Sequence, residues 1–249
     1  MLEDNNKKVV YEMKLKIIRI AIIVFIIIVA ISSYLLIKEF FQSKKNNDIN
    51  IKLSTDVIIE DEDTENVKID WKQLEDINNN IIGWIKIKNT NINYPILQDD
   101  DSLKYLKRSF NMEYNKNGSI FTLNSKPFQE DVTIIYGHNM RNGSMFSNLS
   151  KYMDRKFFDE HATFEIYTKN HNYKATIFSC YSIGITEEER NIKLLNFPEE
   201  IEYYKKQSKY YVDIGEIEKI VKLSTCSYIN SHTRPTDQRY YIVAKLEEV

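Results

Sequence analysis

Three side chains of this sequence have the chemistry of acyl transfer, and each lies where a predicted strand begins or ends. Cys226 follows the alternating apolar run 217–225, and His138 follows a glycine directly after the apolar run 132–136. Arg239 opens the last apolar run of the chain. At the edge of a sheet, a thiol nucleophile, an imidazole that carries a proton and a guanidinium that binds an oxyanion can meet. The sequence therefore predicts an acyl-transfer enzyme.

The two cysteines of the chain have different surroundings. Cys180 lies inside the strand-like run 174–181, which indicates a small buried side chain. The default expectation for Cys226 is the same, but small polar residues precede it and the polar stretch 227–238 follows it, which leaves room for a substrate. The two could form a disulfide, although two cysteines do not make a disulfide framework. We expect Cys226 to be reactive, because an unpaired thiol outside the cytoplasm needs a reason to be there.

His138 is the histidine whose position the neighbouring sequence fixes. A buried strand that leads into a glycine turn directs the ring outward from a fixed base, whereas a histidine in an ordinary surface turn has no such frame. The remaining histidines lack that frame, and we expect them to be incidental: His161, His171 and His232. His232 keeps some interest because it is near Cys226 in the sequence.

Two arginines compete for the oxyanion role. Arg234 precedes Pro235 in a loop and is expected to be solvated, whereas Arg239 is fixed by the terminal strand 240–246. If that strand pairs antiparallel with the strand that ends at Cys226, Arg239 lies beside the thiol. A guanidinium is planar and permanently charged, so it can bind a carbonyl or oxyanion oxygen there.

Composition and motifs argue against several other functions. The chain has 249 residues, 12% aromatic residues and a formal net charge of −2, which fits a globular core and gives no indication of nucleic-acid binding. The four histidines and two cysteines show no zinc-ligand spacing, and residues 99–101 lack the glycine and spaced ligands of a calcium loop. The sequence has no phosphate-binding glycine-rich loop. We therefore expect neither a metal nor another cofactor.

Residues 17–37 are almost wholly apolar and predict a transmembrane helix. At ~1.5 Å per residue the run is long enough to cross a bilayer. It exceeds the usual apolar region of a signal peptide, no small-residue cleavage pattern follows it, and it has no polar face typical of a core helix. Five basic residues lie at its N-terminal end and three follow it, so the positive-inside rule places residues 1–16 in the cytoplasm and the rest outside. We expect a single-pass protein of the cell membrane, with membrane lipid as a partner.

The remainder of the chain is expected to be a linker and one catalytic domain. Residues 38–68 are polar and carry the acidic cluster 60–65, which is typical of a solvated linker. The expected function of this linker is to hold the catalytic domain, residues 69–249, off the membrane.

Short alternating runs dominate the catalytic domain. Strands are expected at 81–87, 91–96, 118–123, 132–136, 163–168, 172–181, 217–225 and 239–246. Helices are expected at 102–108, 145–153, 199–209 and 70–77, the last with Asp70 as its N-cap. Many short strands with few helices predict a mainly β fold, a closed or nearly closed antiparallel barrel of about eight strands.

An ordered set of motifs resembles the class B sortases, cysteine transpeptidases of Gram-positive bacteria. The set extends over residues 69–246 and comprises Gly83-Trp84-Ile85-Lys86-Ile87, Tyr94-Pro95-Ile96-Leu97-Gln98, Gly118-Ser119-Ile120-Phe121, Tyr136-Gly137-His138-Asn139-Met140, Gly143-Ser144-Met145-Phe146, Leu223-Ser224-Thr225-Cys226 and Arg239 before an Ala-Lys-Leu strand. Any single motif is weak, but the ordered set is highly specific.

The resemblance implies a sortase-type closed β-barrel in which His138, Cys226 and Arg239 are catalytic. It also implies a long, helix-bearing connection between the sixth and seventh barrel strands, which fits residues 186–209. It implies no calcium requirement. Candidate substrate contacts carried over in the same way are Ser102, Leu106, Tyr136, Ser224 and Ser227.

Three features depart from the family pattern. The loop between Cys226 and Arg239 is longer than usual, which leaves the choice between Arg239 and Arg234 open. Family members often have Asn where this chain has Ser102, and an acidic residue where it has Ser227. At least one substrate contact can therefore differ from the family.

The activity that the resemblance implies is transpeptidation. Cys226 would attack the carbonyl of a threonine in the C-terminal sorting signal of a secreted protein, and Arg239 with the backbone N–H after the cysteine would stabilise the oxyanion. His138 would protonate the leaving amine and then assist attack by a peptidoglycan amine. The sorting motif stays open between NPxTN-like and PxTG-like pentapeptides. Two alternatives also stay open: a membrane-tethered adhesin or scaffold without catalysis, and a cysteine peptidase that releases its product to water.

Overall fold

The computed structural model describes residues 2–60, 67–99, 104–210, 212–228 and 236–249. The chain divides into two compact units, Met1–Lys45 and Asn46–Val249. The first unit is helical, and the second contains a barrel and the candidate site.

The first unit lies within helix α1, Leu2–Val57. Residues 17–37 are helical as predicted, and their large apolar side chains are exposed along the whole run. Among the described residues, α1 is the one helix long and apolar enough to span a membrane. Apolar side chains that protein does not cover are stable in a bilayer, so the predicted span is consistent with this helix.

The second unit begins earlier than the sequence suggested. Leu53 and Val57, one helical turn apart near the end of α1, are buried in an apolar cluster of this unit. An antiparallel hairpin follows, formed by β1 (Ile58–Glu60) and β2 (Val67–Ile69). The compact unit starts at Asn46, inside the stretch 38–68 that was expected to be a linker. The acidic cluster 60–65, apart from its first residue, lies outside the described residues.

Eight strands form the barrel: β3 (Ile81–Lys86), β4 (Asn93–Gln98), β5 (Ile120–Thr122), β6 (Val132–Tyr136), β7 (Thr163–Thr168), β8 (Asn172–Gly184), β9 (Ile220–Cys226) and β10 (Gln238–Glu248). They close in the order β10-β8-β7-β3-β4-β5-β6-β9, which confirms the predicted closed barrel. The barrel is not wholly antiparallel as expected, because β4 pairs parallel with β5 and β6 pairs parallel with β9. Parallel strands end at the same edge of a sheet, so the residues that follow β6 and those at the end of β9 lie close together.

Both faces of β9 are buried. Val221 and Leu223 point into the main core inside the barrel. Because side chains alternate along a strand, Ile220, Lys222 and Ser224 lie on the outer face, which is also covered. Only the final residue of β9 is half-exposed.

Besides the end of α1, the described part of the second unit contains these helical segments: α2 (Trp71–Ile77), a 3-10 helix (Ser147–Met153), α3 (Arg155–Glu160), α4 (Ile185–Ile192) and α5 (Phe197–Gln207). Helix α2 is capped as predicted, because the Asp70 side chain accepts a hydrogen bond from the Gln73 N–H at 2.9 Å. The expected helix at 102–108 is wrong in its described part, which forms turns from Lys104 onward. The expected helix at 145–153 is the 3-10 helix.

The connection from β8 to β9 carries two helices, α4 and α5. Helix α5 begins with a capping box in which Asn196 and Glu199 exchange hydrogen bonds. In the barrel, β8 is the sixth strand along the chain and β9 the seventh, so the helix-bearing connection that the family resemblance implied is confirmed.

Candidate active site

Cys226 and Arg239 face each other across two paired strands. Strands β9 and β10 are antiparallel, and their register makes Cys226 and Arg239 direct partners. Directly opposed residues of an antiparallel pair project from the same face, with their Cβ atoms about 4.5–5.5 Å apart. Because Cys226 is half-exposed at the end of β9, its thiol is both next to the arginine strand and accessible.

Hydrogen bonds from the residues on either side of His138 hold it beside the cysteine strand. The Gly137 carbonyl accepts a hydrogen bond from Thr225 Oγ1 at 2.7 Å. On the other side, Asn139 Nδ2 donates to the Cys226 carbonyl at 2.8 Å. The imidazole and the thiol therefore arise from adjacent, mutually bonded backbone segments.

The turn that carries Leu106 fixes the imidazole ring. His138 Nε2 lies 2.9 Å from the Leu106 carbonyl oxygen. A carbonyl oxygen only accepts, so Nε2 donates and Nδ1 is the nitrogen left to exchange a proton. Gly118 packs against this arrangement with a φ of +63°, and a Cβ there would lie 3.1 Å from His138 Cδ2 and 2.6 Å from the Tyr105 carbonyl oxygen. Position 118 thus requires glycine both for its backbone conformation and for space.

The loop that follows His138 is anchored on β4. The Phe146 N–H donates to the His138 carbonyl at 2.9 Å, and the Met145 N–H donates to Tyr94 Oη at 3.0 Å. Met145 has a φ of 56°, a backbone conformation that a residue other than glycine adopts only where its surroundings hold it. Burial raises the pKa of Tyr94, so its hydroxyl stays protonated and available. These bonds hold the backbone that carries His138.

The Arg239 guanidinium is held by backbone carbonyls that precede it. Its Nη1 donates to the Thr236 carbonyl at 2.8 Å and to the Gln238 carbonyl at 2.9 Å. The Gln238 carbonyl also accepts from the Ser227 N–H at 2.8 Å. That N–H was expected to help stabilise an oxyanion, and the expectation is wrong because the group is already paired with β10. Of the two predicted donors, the guanidinium remains.

A row of side chains crosses four strands next to the Cys226–Arg239 pair. The register aligns Tyr136 on β6, Ser224 on β9, Tyr241 on β10 and Tyr181 on β8, and we call these residues the tyrosine row. Burial raises the pKa of both Tyr136 and Tyr241, so these phenols are neutral at physiological pH.

Two candidate substrate contacts, Tyr136 and Leu106, lie near His138 and are partly exposed. Tyr136 is half-buried and stacks on Phe121, with ring centroids 5.6 Å apart. Leu106 is half-buried and contacts His138 through its carbonyl. Ser102 lies outside the described residues. The roles of Tyr136 and Leu106 toward a substrate stay predictions.

The two serine candidates flank the cysteine and are buried. The Ser227 hydroxyl accepts a hydrogen bond from Ser182 Oγ at 2.9 Å, and Ser224 lies opposite Tyr241 in the register of β9 and β10. The Ser227 hydroxyl therefore ties the residue after Cys226 to β8. The role of both serines as substrate contacts also stays a prediction.

Cys180 has the inert environment that its sequence context indicated. It is buried on β8, and its Sγ donates to the Tyr152 carbonyl at 3.4 Å. Burial raises the pKa of this thiol to about 12. Both cysteines are free, so the possible disulfide between them is not present.

The other histidines that the structure describes have local partners. His161 stacks on Phe157 with ring centroids 3.9 Å apart, and His171 Nδ1 lies 2.6 Å from Glu248 Oε1. Within the described ranges, no group of His, Cys, Asp and Glu residues could hold a metal ion. His232 and Arg234 lie outside those ranges, so the preference for Arg239 rests on its pairing with the cysteine strand.

Sequence reasoning missed three residues whose contacts lie in or next to the site. Asn139 had a local signal, since it is adjacent to His138 within the same motif. Tyr241 could be found only once the register of β10 was known. Lys222 has the pattern of a solvent-facing strand residue, yet it is buried and forms a salt bridge with Glu188 of α4.

Known proteins share this sequence pattern and this fold. The sortase domain model matches residues 85–247. The chain is 34% identical over 199 residues to sortase B of Listeria monocytogenes, an alignment that covers 76% of this chain and 80% of that protein. It is similar in structure to a Staphylococcus aureus sortase B–substrate complex, with a TM-score of 0.64, 30% identity, and 72% of this chain and 84% of that chain covered. It is also similar to a sortase B complexed with triglycine, with a TM-score of 0.63, 30% identity and coverage of 72% and 86%. The chain belongs to the sortase family and is a class B sortase, a cysteine transpeptidase.

Proposed function

We propose that this sortase cleaves the C-terminal sorting signal of a secreted protein after a threonine and joins that protein to a peptidoglycan amine. Cys226 pairs directly with Arg239, and hydrogen bonds from both neighbours of His138 hold that residue next to the cysteine strand. This geometry is the main support for the proposal. A thiol, a guanidinium and an imidazole at one accessible strand end suit attack on a carbonyl followed by transfer to an amine.

The first half-reaction forms a thioacyl enzyme on Cys226. The thiolate forms an S–C bond to the threonine carbonyl carbon, and the carbonyl oxygen becomes anionic near the Arg239 guanidinium. Collapse of this tetrahedral intermediate breaks the C–N bond, and His138 gives its proton to the leaving amine. Since the Ser227 N–H is paired with β10, Arg239 carries the oxyanion role, which is commonly worth ~3 kcal/mol.

The second half-reaction transfers the acyl group to an incoming amine. Neutral His138 accepts a proton from the amine as it attacks the thioester, a new C–N bond forms, and the C–S bond breaks to regenerate the Cys226 thiolate. Because His138 Nε2 donates to the Leu106 carbonyl, we assign both proton transfers to Nδ1. Water in place of the amine gives slow hydrolysis.

Solved relatives support the two kinds of substrate. One is a sortase B–substrate complex and another is a sortase B complexed with triglycine. By extension we propose a sorting-signal peptide as the acyl donor here and a stem or cross-bridge amine of peptidoglycan as the acceptor.

The apolar segment of α1 supports a location at the cell membrane. We propose that residues 17–37 cross the bilayer once, with residues 1–16 in the cytoplasm, because basic residues are more numerous on the N-terminal side. The catalytic unit then lies outside, where both secreted proteins and the cell wall are found.

Product analysis with the full chain in detergent micelles tests the proposal. The protein is incubated with NPxTN-like and PxTG-like peptides, with and without triglycine, and Cys226→Ala serves as the control. We expect cleavage after the threonine and, with triglycine present, a joined product. Hydrolysis alone under both conditions would instead identify a cysteine peptidase. The absence of cleavage, together with no labelling of Cys226 by thiol reagents, would indicate an adhesin or scaffold.

A further inference from the structure

An ion pair that the proposed reaction does not use is buried next to the candidate site. The side chains of Lys222 and Glu188 form a salt bridge and are only 2% and 3% exposed. Lys222 lies on the same face of β9 as Cys226, four residues before it. Removing two charges from water is costly unless further contacts compensate, so this pair requires a physical explanation.

Aromatic side chains satisfy both charges of the pair. Glu188 accepts hydrogen bonds from Tyr181 Oη at 2.6 Å and from Tyr203 Oη at 2.9 Å. The Lys222 ammonium lies 4.1 Å from the centroid of the Tyr241 ring, within the range of a cation–π interaction. Two of these tyrosines, Tyr181 and Tyr241, belong to the tyrosine row. The pair is therefore built into the sheet that carries the catalytic strand end.

Glu188 attaches α4 to the barrel. Helix α4 has eight residues, and isolated helices of that length are not stable in water. Among the residues of α4, all of which the structure describes, Glu188 is the one that is buried. The contact between Glu188 and Lys222 is thus the buried attachment of α4, beside the bond from the Ile185 N–H to the Asp237 carbonyl (3.0 Å) and the packing of Ile192 against an apolar cluster.

Helix α4 lies along the edge of the candidate site. It begins two residues after Ile183, which is the cross-strand partner of Arg239 on β8. Further along α4, Glu189 is close enough to Tyr136 for its negative charge to add to the effect of burial in raising the pKa of that phenol. The helix therefore extends from the arginine side toward the tyrosine on β6, across the strand that ends at Cys226.

We propose that Lys222 and Glu188 position α4 as a wall of the substrate cleft and thereby set the affinity for the sorting peptide. This inference rests on the proposed function. Lys222 is a positioning residue, because it acts through α4 and does not touch the reacting atoms. Loss of the pair should weaken peptide binding and leave the intrinsic reactivity of the Cys226 thiol unchanged.

The test compares Lys222→Met and Glu188→Gln with the full wild-type chain in detergent. Peptide cleavage gives KM and kcat, alkylation of Cys226 by iodoacetamide gives thiol reactivity, and amide hydrogen exchange at residues 185–192 gives the stability of α4. Lys205→Met is the matched control, since it breaks a partly exposed pair with Glu202 on α5 (2.9 Å).

We expect Lys222→Met to raise KM about tenfold, which corresponds to about 1.4 kcal/mol of binding free energy. The kcat and the alkylation rate should stay within about twofold of wild type, and exchange in α4 should accelerate. Glu188→Gln keeps the shape of the side chain and should give a smaller change in the same direction. Lys205→Met should match wild type in every readout.

Three results would overturn the inference. One is a wild-type KM with unchanged exchange in α4, and another is a parallel loss of kcat and alkylation with KM unaltered. The third is loss of the folded barrel in both Lys222→Met and Glu188→Gln, because the pair would then be needed for folding itself. If the wild-type chain cleaves no sorting peptide, the proposed function fails separately, and unchanged exchange in α4 would still overturn the attachment of α4 through this pair.

Discussion

The two thiols of this protein lie on strands of the same barrel and differ in where along the strand each one lies. Cys180 is inside β8, buried, with its pKa raised to about 12 by that burial. Cys226 is the last residue of β9, half-exposed, with Arg239 directly opposite and the His138 segment bonded alongside. A cysteine at a strand end, beside a cation and an imidazole, is therefore a candidate nucleophile. A cysteine in the middle of another strand of the same barrel only fills space in the core.

Alanine substitutions at the two cysteines should give the largest contrast. Cys226→Ala removes the nucleophile, so we expect a loss of peptide cleavage of roughly 10⁴-fold or more with an unchanged melting temperature. Cys180→Ala should leave turnover within about twofold and lower the free energy of unfolding by ~1 kcal/mol, because only buried contacts are lost. Cleavage assays and thermal unfolding measure both quantities. Comparable losses of turnover in the two variants would show that Cys226 and Cys180 do not differ in function as described.

Arg239→Ala should have the next largest effect, because it removes the guanidinium that we propose as the oxyanion donor. We expect kcat/KM to fall by about 10²-fold, equivalent to ~3 kcal/mol. Arg239→Lys should recover little of this, since an ammonium lacks the planar geometry of a guanidinium. Arg234→Ala is the control and should be mild. A severe loss in Arg234→Ala with near-normal activity in Arg239→Ala would reverse the assignment.

Asn139→Ala should have a moderate effect, because it leaves the Cys226 carbonyl without its 2.8 Å hydrogen bond. The loss of one such bond is worth ~1 kcal/mol, so we expect kcat/KM to fall by about five- to tenfold. Asn91→Ala provides a matched control, since Asn91 Nδ2 bonds the Gly143 carbonyl at 3.2 Å in the same loop without touching β9. Equal activities for the two variants would show that Asn139 does not position the cysteine.

The smallest effect concerns alkaline stability. The Cys180 thiol has a pKa of about 12 in the folded chain against 9.0 as its ordinary value, so between these pH values unfolding releases a proton. The free energy of unfolding should therefore fall as pH rises through this range, and more in wild type than in Cys180→Ala. Urea unfolding at neutral pH and just above pH 9.0 measures this fall in the free energy of unfolding for both proteins. Identical pH dependence would mean that Cys180 is not shielded as described.

Features with local signals could be predicted from the sequence. The strands follow alternating runs, and α2 begins directly after Asp70 because an aspartate before an apolar helical face is a good N-cap. The closeness of Cys226 and Arg239 followed from one assumption about strand pairing, which the register of β9 and β10 bears out.

Features that depend on distant contacts could not be predicted. Lys222 has the pattern of a solvent-facing residue, because alternation along β9 does not show that α4 covers the outer face. The Ser227 N–H looked available because its acceptor, the Gln238 carbonyl, depends on the register of another strand. The burial of Leu53 and Val57 near the end of α1 depends on packing against distant side chains such as Trp84 and Leu97, which the mixed polar and apolar stretch around them does not show.

Transfer by this protein should pass through a thioacyl bond between Cys226 and the substrate. Intact-mass spectrometry of the full chain, mixed briefly with a sorting peptide in the absence of an added amine, measures this bond directly. We predict a mass increase equal to the peptide portion through its threonine, mapped to Cys226 and removed when triglycine is added. An adduct that maps to Cys180 or to any other residue, or undiminished turnover in Cys226→Ala, would contradict the account.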